Sequence, residues 1–364
     1  MRVVVVGAGV MGLGAARVLA ERGHAVVVID RFGVANPSSS SSGPTRIWRL
    51  AHPQRSMVRL ARRTVDAWHE LERRTGRTML LQPGLLWRGS DALDVHAAVV
   101  AEGEAIELVD ASEQARRFPE LRPDERRPVA WQAEAGVVLA ATAMAAQAEL
   151  FARAGGVLSV GEVVLDVQAR PEGGVRVVGE RETYDADVAV VATGPWASEL
   201  LQRIGVDVAL EPVLEQVSYI QGPADWEQRP CVIDDFSSHG GEAFYSMPTP
   251  GVGYKIGIDT PLRPWEAGDL DRTPSRERMA LTQALVERKL PGFDPHLLHS
   301  EVCSWTSSPD ELFVLDRVGD VVFGCGDSGQ GFKFLPLLGD VLADLAEGSP
   351  LEPDVAQFSL ARFG

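Results

Sequence analysis

Apolar and polar positions fall in blocks along this chain, and the first block is the clearest. Arg2-Val3-Val4-Val5-Val6 is a β-branched run of the length expected for a buried strand. Gly7-Ala8-Gly9-Val10-Met11-Gly12 interrupts it, after which Ala15, Ala16, Leu19 and Ala20 recur at helical spacing. Gly23 ends that helix, a second strand runs over 25–29, and Asp30 closes the unit. Further along, the pattern predicts a long helix over 56–75, short strands alternating with helices over 79–135, and an alanine-rich helix over 140–153. Asp187-Val188-Ala189-Val190-Val191-Ala192-Thr193-Gly194 is a second buried-strand run, where the chain returns to the first sheet. Period-two strands follow at 216–220, 243–247 and 254–259, then a helix near 275–289 and an apolar helix from Phe334 to Leu342. There is no internal repeat and no disordered tail.

The expected fold is α/β. A Rossmann-type nucleotide-binding domain assembled from 1–75, 140–206 and 300–364 interleaves with a mostly antiparallel-sheet (α+β) substrate domain from 76–139 and 207–299. Ligands in such folds lie at the carboxyl ends of the parallel strands, under the second domain.

Strand, glycine turn, helix, strand and acid, in that order, form a dinucleotide fingerprint. Gly7 makes the tight turn, Gly9 lets the backbone approach a pyrophosphate, and Gly12 lets the helix pack on the strand. Asp30 would accept a hydrogen bond from a ribose hydroxyl. The context favours a bound dinucleotide over an empty turn, but it does not separate FAD from NAD.

The totals exclude several classes. At 364 residues there is room for two domains with proper cores. A net charge of −16 argues against nucleic acid or an anionic membrane as partner. No uninterrupted apolar window of about 18 residues exists, so no spanning helix is expected. With the first strand beginning at residue 2, no signal peptide is expected. Cys231, Cys303 and Cys325 are a sparse, odd set without metal-ligand spacing; they suit a reducing cytoplasm, and no metal site is expected.

Only three of the 35 basic residues are lysine, at 255, 289 and 333. A chain that uses arginine almost everywhere keeps a lysine where a compact ammonium is needed. Lys289 ends a polar helix and reads as a solvated charge; Lys255 and Lys333 lie on no such face. Lys333 follows Gly324-Cys325-Gly326-Asp327-Ser328-Gly329-Gln330-Gly331, a turn too glycine-rich for regular strand or helix. A glycine loop feeding a helix aims backbone N–H groups and the positive dipole end at one point. Such a point holds negative charge, of the kind a reduced flavin ring carries.

On these residues the chain resembles the monomeric sarcosine oxidase and N-methyltryptophan oxidase branch of the D-amino-acid-oxidase-like flavoproteins. The markers are Gly7-x-Gly9-x-x-Gly12, Thr45-Arg46-Ile47-Trp48-Arg49, Gly253-Tyr254-Lys255-Ile256-Gly257, Val302-Cys303-Ser304-Trp305-Thr306, Pro309-Asp310-Glu311 and Gly326 to Phe334. They run in order over nearly the whole length. The resemblance implies FAD, linked through its 8α-methyl group to Cys303, a substrate amine that gives a hydride to the flavin, and reoxidation by O2 with release of H2O2. Lys255 matches the lysine that promotes the oxygen reaction, and Arg49 with Lys333 matches the pair that grips the substrate carboxylate. Tyr245 and Trp305 fall at aromatic pocket positions, where each also reads as core packing. The implied cofactor contacts are Gly7, Gly9, Val10, Met11 and Gly12 at the first turn and Asp30 and Arg31 after the second strand. Ser42, Thr45 and Arg46 follow, then Val164, then Thr193, Gly194 and Trp196. Cys303, Gly326, Gly329, Gly331, Phe332 and Lys333 complete the set.

The chain also departs from the sarcosine-type pattern. Asp259 stands where a histidine follows the lysine by four residues, Gln330 replaces a histidine in the glycine turn, and Ser42 replaces another in the serine loop. A carboxylate at 259 facing the pocket would favour a substrate with an extra cation or hydroxyl; facing outward it has no role. The resemblance implies a small secondary or cyclic amino acid as substrate and a monomeric enzyme. Two other readings remain open at this point: an FAD-dependent amino-acid dehydrogenase using another acceptor, and a non-catalytic nucleotide-binding module.

Overall fold

The computed structural model describes residues 1–126, 128–235, 243–266 and 268–363. The first apolar run forms the strand Arg2–Val6 at the middle of a six-stranded sheet. Its neighbours on one side are Ala25–Asp30 and Val157–Val160, and on the other Val188–Val191 and Val321–Cys325, all parallel. Val314–Val318 adds an antiparallel edge. The first strand is buried on both faces, with Val3 and Val5 in one core cluster and Val4 and Val6 in another. This is why the sequence reads as a continuous apolar run rather than an alternation.

The first cluster takes in the helices Val10–Glu21, Ala140–Arg153 and Leu335–Ala346, together with the apolar stripe of Arg55–Thr75. Gly14 and Gly339 let two of these helices touch backbone to backbone; a β-carbon at 339 would lie 2.8 Å from the Gly14 carbonyl carbon. The other face is covered by the helix Ala197–Arg203 and an antiparallel three-stranded sheet, Val164–Ala169, Val175–Gly179 and Thr183–Ala186. The strand pattern above did not anticipate that small sheet, whose strands are short and only partly buried.

Among the described residues the second large sheet has nine strands. Glu211–Ile220 pairs on one edge with Gly253–Ile258, which continues to Phe244–Thr249, Cys231–Asp234 and Leu85–Arg88. On its other edge it pairs along its whole length with Leu297–Ser307. Residues 300–307 therefore join this sheet, although the sequence reading grouped them with the nucleotide-binding pieces. The expected strand at 216–220 is the end of a ten-residue strand.

The register of this sheet decides what faces what, because side chains alternate between faces. Ile256, Ile258, Phe244, Val232 and Leu86 point to one side and pack with Leu285 and Val286 of the Arg276–Lys289 helix. The opposite face carries Cys303 beside Glu215, Lys255 beside Tyr219, and Tyr245 beside Gly257, followed by Ile233 and Trp87. Cys303, Glu215, Lys255 and Tyr245, the groups able to do chemistry, thus share one face. Among the described residues no helix is long and apolar enough to cross a membrane.

Candidate active site

The glycine turn is built as the fingerprint requires. Gly7 has φ +105°, and a β-carbon there would fall 2.4 Å from the Ala192 carbonyl oxygen. A β-carbon at Gly12 would fall 2.0 Å from the Gly7 carbonyl oxygen, so neither position accepts a larger residue. Asp30 ties the turn to the strand end: one carboxylate oxygen accepts the Ala8 N–H at 2.7 Å, the other the N–H groups of Phe32 and Gly33. The Val10 N–H donates to Ser41 Oγ at 2.8 Å.

A cleft runs from here across the carboxyl ends of the parallel strands. Asp30, Arg31 and Val164 line one end; Gly7, Gly9, Val10, Met11, Thr193, Gly194 and Trp196 line the middle; Thr306 and Gly326 line the other end. Ser41 lines it rather than the expected Ser42, whose carbonyl instead accepts a hydrogen bond from Arg46. Gly12 lies beneath, in the turn–helix contact. The Thr193 hydroxyl, the Trp196 indole N–H and the Thr306 hydroxyl are buried and without a protein partner.

Arg46 also donates to the carbonyls of Thr45 and Ser40 and lies 5.7 Å from the Phe332 ring, so it orders the serine loop. Thr45 bonds Thr249 through their hydroxyls at 2.7 Å. Next to them, on the reactive sheet face, Lys255 is buried, with Nζ 3.5 Å from the Thr45 carbonyl and 6.0 Å from the Tyr219 ring centroid. Burial and the Arg46 guanidinium push it down to about 8, against the raising effect of Cys303, Glu301 and Glu215. Cys303 is half-buried whereas Cys231 and Cys325 are buried. Burial and Glu215 raise its thiol, while Lys255 and Arg46 pull the other way.

Sequence reasoning missed Glu215. It is fully buried, accepts the Tyr245 hydroxyl at 3.0 Å, and leaves Oε2 without a partner. Burial and the nearby Asp259 charge push its carboxyl well above the usual range. Asp259 is therefore within electrostatic reach of this face, half-exposed at the end of its strand. A period-two strand with an acid on one face reads from sequence as a solvated surface, so only the pairing with Leu297–Ser307 reveals the burial.

Arg49 and Lys333 come together from chain positions far apart. Arg49 is buried with its guanidinium 4.6 Å from the Trp87 ring centroid, and Lys333 is buried with Nζ 3.4 Å from the Gln330 carbonyl. Burial lowers both, and Arg49 lowers Lys333 further. Among the described residues no carboxylate lies within ion-pair distance of Arg49, Lys333 or Lys255. His52, also missed, is buried between the two cations in electrostatic terms, with Nε2 unpartnered; burial, Arg49 and Lys333 hold its imidazole neutral. Two desolvated cations and a neutral imidazole within electrostatic reach of one another suit an anion.

Residues 2–345 match the family model for FAD dependent oxidoreductases. The chain belongs to that family. It is 31% identical to monomeric sarcosine oxidase of Streptomyces avermitilis, covering 94% of this chain and 93% of that protein. It is 29% identical to monomeric sarcosine oxidase of a Bacillus species, over 99% and 95%. A solved structure, NikD, an unusual amino acid oxidase essential for nikkomycin biosynthesis, superposes with TM-score 0.86 at 27% identity, over 98% of this chain and 96% of that one. The resemblance and the α/β fold read from the sequence are both borne out.

FAD fits the cleft on its own terms. The turn leaves no room for β-carbons at Gly7 or Gly12, and three buried polar groups along the cleft await partners. One expectation for this FAD-dependent oxidoreductase needs revision. The amides of Gly329 and Gly331 are turned to the Asp327 carboxylate, Gly331 at 3.2 Å, so Asp327 takes the donors that the sequence aimed at the flavin. Trp305 lies half-exposed on the reactive face, with its indole N–H 3.3 Å from Ser307 Oγ. Lys289, read as solvated, is half-buried and pairs with the buried Asp234 at 3.4 Å.

Proposed function

We propose that this protein is an FAD-dependent oxidase of small amino acids, with a secondary or cyclic amine as the reacting group. The observation that carries it is the buried Arg49–Lys333 pair, which among the described residues has no carboxylate within ion-pair distance. With FAD in place, the chemistry supplied is two-electron oxidation of the C–H bond beside nitrogen at the expense of O2, giving an imine and H2O2. Gly7, Gly9, Val10, Asp30, Thr193 and Trp196 would hold the nucleotide, and Thr306 and Gly326 lie at the far end of the cleft.

The chain's own groups divide the remaining work. Arg49 offers a fork and Lys333 a point charge, a combination that fixes a carboxylate in position and in orientation. Lys255 holds an ammonium in a dry setting, where it stabilises the negative charge that develops as oxygen is reduced. Tyr245 and Trp305 wall the pocket. Cys303 is the attachment point for a covalent flavin: it is the one half-exposed thiol of the three and stands on the reactive face. Free thiols throughout fit a reducing cytoplasm, and the likeness to proteins named monomeric sarcosine oxidase supports a monomer.

Denaturation in acid tests the attachment. Yellow colour that stays with the precipitate, and leaves it in Cys303→Ser, supports this reading; colour released from the wild type sinks the covalent link and brings non-oxygen acceptors back into question.

A further inference from the structure

Arg49 is fixed from two sides, and both sides belong to one pair of strands. Leu85–Arg88 and Val129–Gln132 run antiparallel, with Leu85 opposite Gln132 and Trp87 opposite Ala130. Trp87 and Gln132 therefore stand on the same face of the sheet, diagonal to one another. The Trp87 ring takes the Arg49 guanidinium, 4.6 Å from its centroid. Gln132 takes the chain that follows Arg49: its Oε1 accepts the N–H groups of Leu50 and Ala51, each at 3.0 Å. The carbonyl of that same Ala51 accepts a hydrogen bond from Arg49 Nη1. Guanidinium, Ala51, Gln132 and Trp87 thus close a ring of contacts.

The stretch 49–54 joins the strand Thr45–Trp48 to the helix Arg55–Thr75 and is itself neither strand nor helix. Leu50, Ala51 and His52 are nevertheless buried. Buried peptide N–H groups need acceptors, and here a side chain supplies the one that a ladder would supply elsewhere. A carboxylate would accept those two bonds more strongly than a carboxamide does. The chain instead uses a neutral glutamine, fully buried, whose Nε2 has no partner. By bond and contact lengths, a charge at this point would lie within about 10 Å of the guanidinium. In a desolvated setting it would compete with any anion that Arg49 is there to bind. Asp91, whose charge does reach Arg49, is occupied by the Trp87 indole N–H at 2.9 Å and forms no ion pair with it.

We propose that Gln132 is the positioning residue of the carboxylate clamp, an uncharged acceptor that sets Arg49 in place and leaves its charge for the substrate. This rests on the reading of Arg49 and Lys333 as that clamp. Gln132 acts through Arg49 and not on the substrate itself.

The test uses two probes of one shape, acetate and acetamide, whose affinities for the holoenzyme are read from perturbation of the flavin absorbance. Gln132→Glu keeps the oxygen for Leu50 and Ala51 and adds a negative charge. Its preference for acetate over acetamide should fall by at least about tenfold from the wild-type value. Gln132→Met removes the acceptor at similar size. It should lower Tm by several degrees, reduce the same preference, and raise KM for amino acids by a larger factor than it lowers kcat. An unchanged preference in Gln132→Glu, or equal weakening of both probes in Gln132→Met, overturns the proposal and leaves Gln132 a purely structural residue. Should one variant fail to fold, the other decides; should both fail, Gln132→Asn, too short to reach both amides, takes their place. A wild type that prefers neither probe shows that the clamp reading has failed. The positioning claim is then judged by the crystal structure of the variant that lacks the acceptor: a guanidinium displaced from the Ala51 carbonyl and the Trp87 ring upholds it, and an unmoved one overturns it.

Discussion

Tyr245 crosses the sheet directly over Gly257: a β-carbon at 257 would fall 2.3 Å from the tyrosine Cζ. The missing side chain is what lets the Tyr245 hydroxyl reach Glu215 on the strand beyond, at 3.0 Å. Gly257→Ala must push the ring away or shift the strand. It should cost about 1–3 kcal/mol of stability, as overpacking does, and detach Tyr245 from Glu215. Chemical denaturation checks the first effect. The near-ultraviolet circular dichroism of a variant in which Tyr245 has moved checks the second; an unchanged spectrum and midpoint would contradict it.

The clamp makes an asymmetric prediction. Arg49→Ala leaves the Lys333 ammonium alone in a buried site, and loss of one partner of a desolvated charged contact costs about 2–5 kcal/mol. Steady-state kinetics should show kcat/KM for carboxylate-bearing substrates falling by more than about thirtyfold. An amine without a carboxylate should lose far less. Equal losses for the two classes would mean that Arg49 supports the fold instead.

Lys255 predicts a pH effect with a definite sign. Burial and Arg46 hold it at about 8, below the ordinary lysine value, so the ammonium is lost as pH rises through about 8. Stopped-flow reoxidation should slow above that point while reduction by substrate does not. Lys255→Met should reduce normally and reoxidise at a low, pH-independent rate. The same shift makes stability rise with pH between about 8 and the usual lysine range, because only the unfolded chain still binds the proton there.

Gly339 faces the Gly14 backbone across two packed helices, and a methyl group at 339 would sit 2.8 Å from a carbonyl carbon. Neither backbone can give way cheaply. Gly339→Ala should lower Tm by several degrees despite the better helix propensity of alanine. A rise in Tm would show that the helices can slide apart.

How much of this was legible in the sequence depends on range. The Gly7–Gly12 turn, the strands around it and the Arg276–Lys289 helix with its Ser275 cap are local, and their residues announce them. Arg49, Lys255 and Lys333 were legible as residues but not as a geometry, since desolvation and mutual repulsion arise only when distant segments meet. Glu215 and His52 were illegible because their types are ordinary on strands and loops; what sets them apart is the pairing of the Glu215 strand with Leu297–Ser307 and, for His52, burial beside the charges of Arg49 and Lys333. Ser41 and Ser42 show the limit of motif position: within a run of serines, only the folded loop decides which hydroxyl meets the Val10 amide. Lys289 was misread for a related reason, since its partner Asp234 lies 55 residues away on a buried strand.

The most direct measurement is an anaerobic titration of the yellow holoenzyme with N-methyl amino acids, followed by readmission of air. Our reading predicts that one equivalent of substrate bleaches one equivalent of flavin, and that air restores the colour with release of one equivalent of H2O2. Flavin that no amino acid bleaches would contradict the proposed function. Flavin that bleaches but stays reduced in air would contradict the role given to Lys255 and make the protein a dehydrogenase.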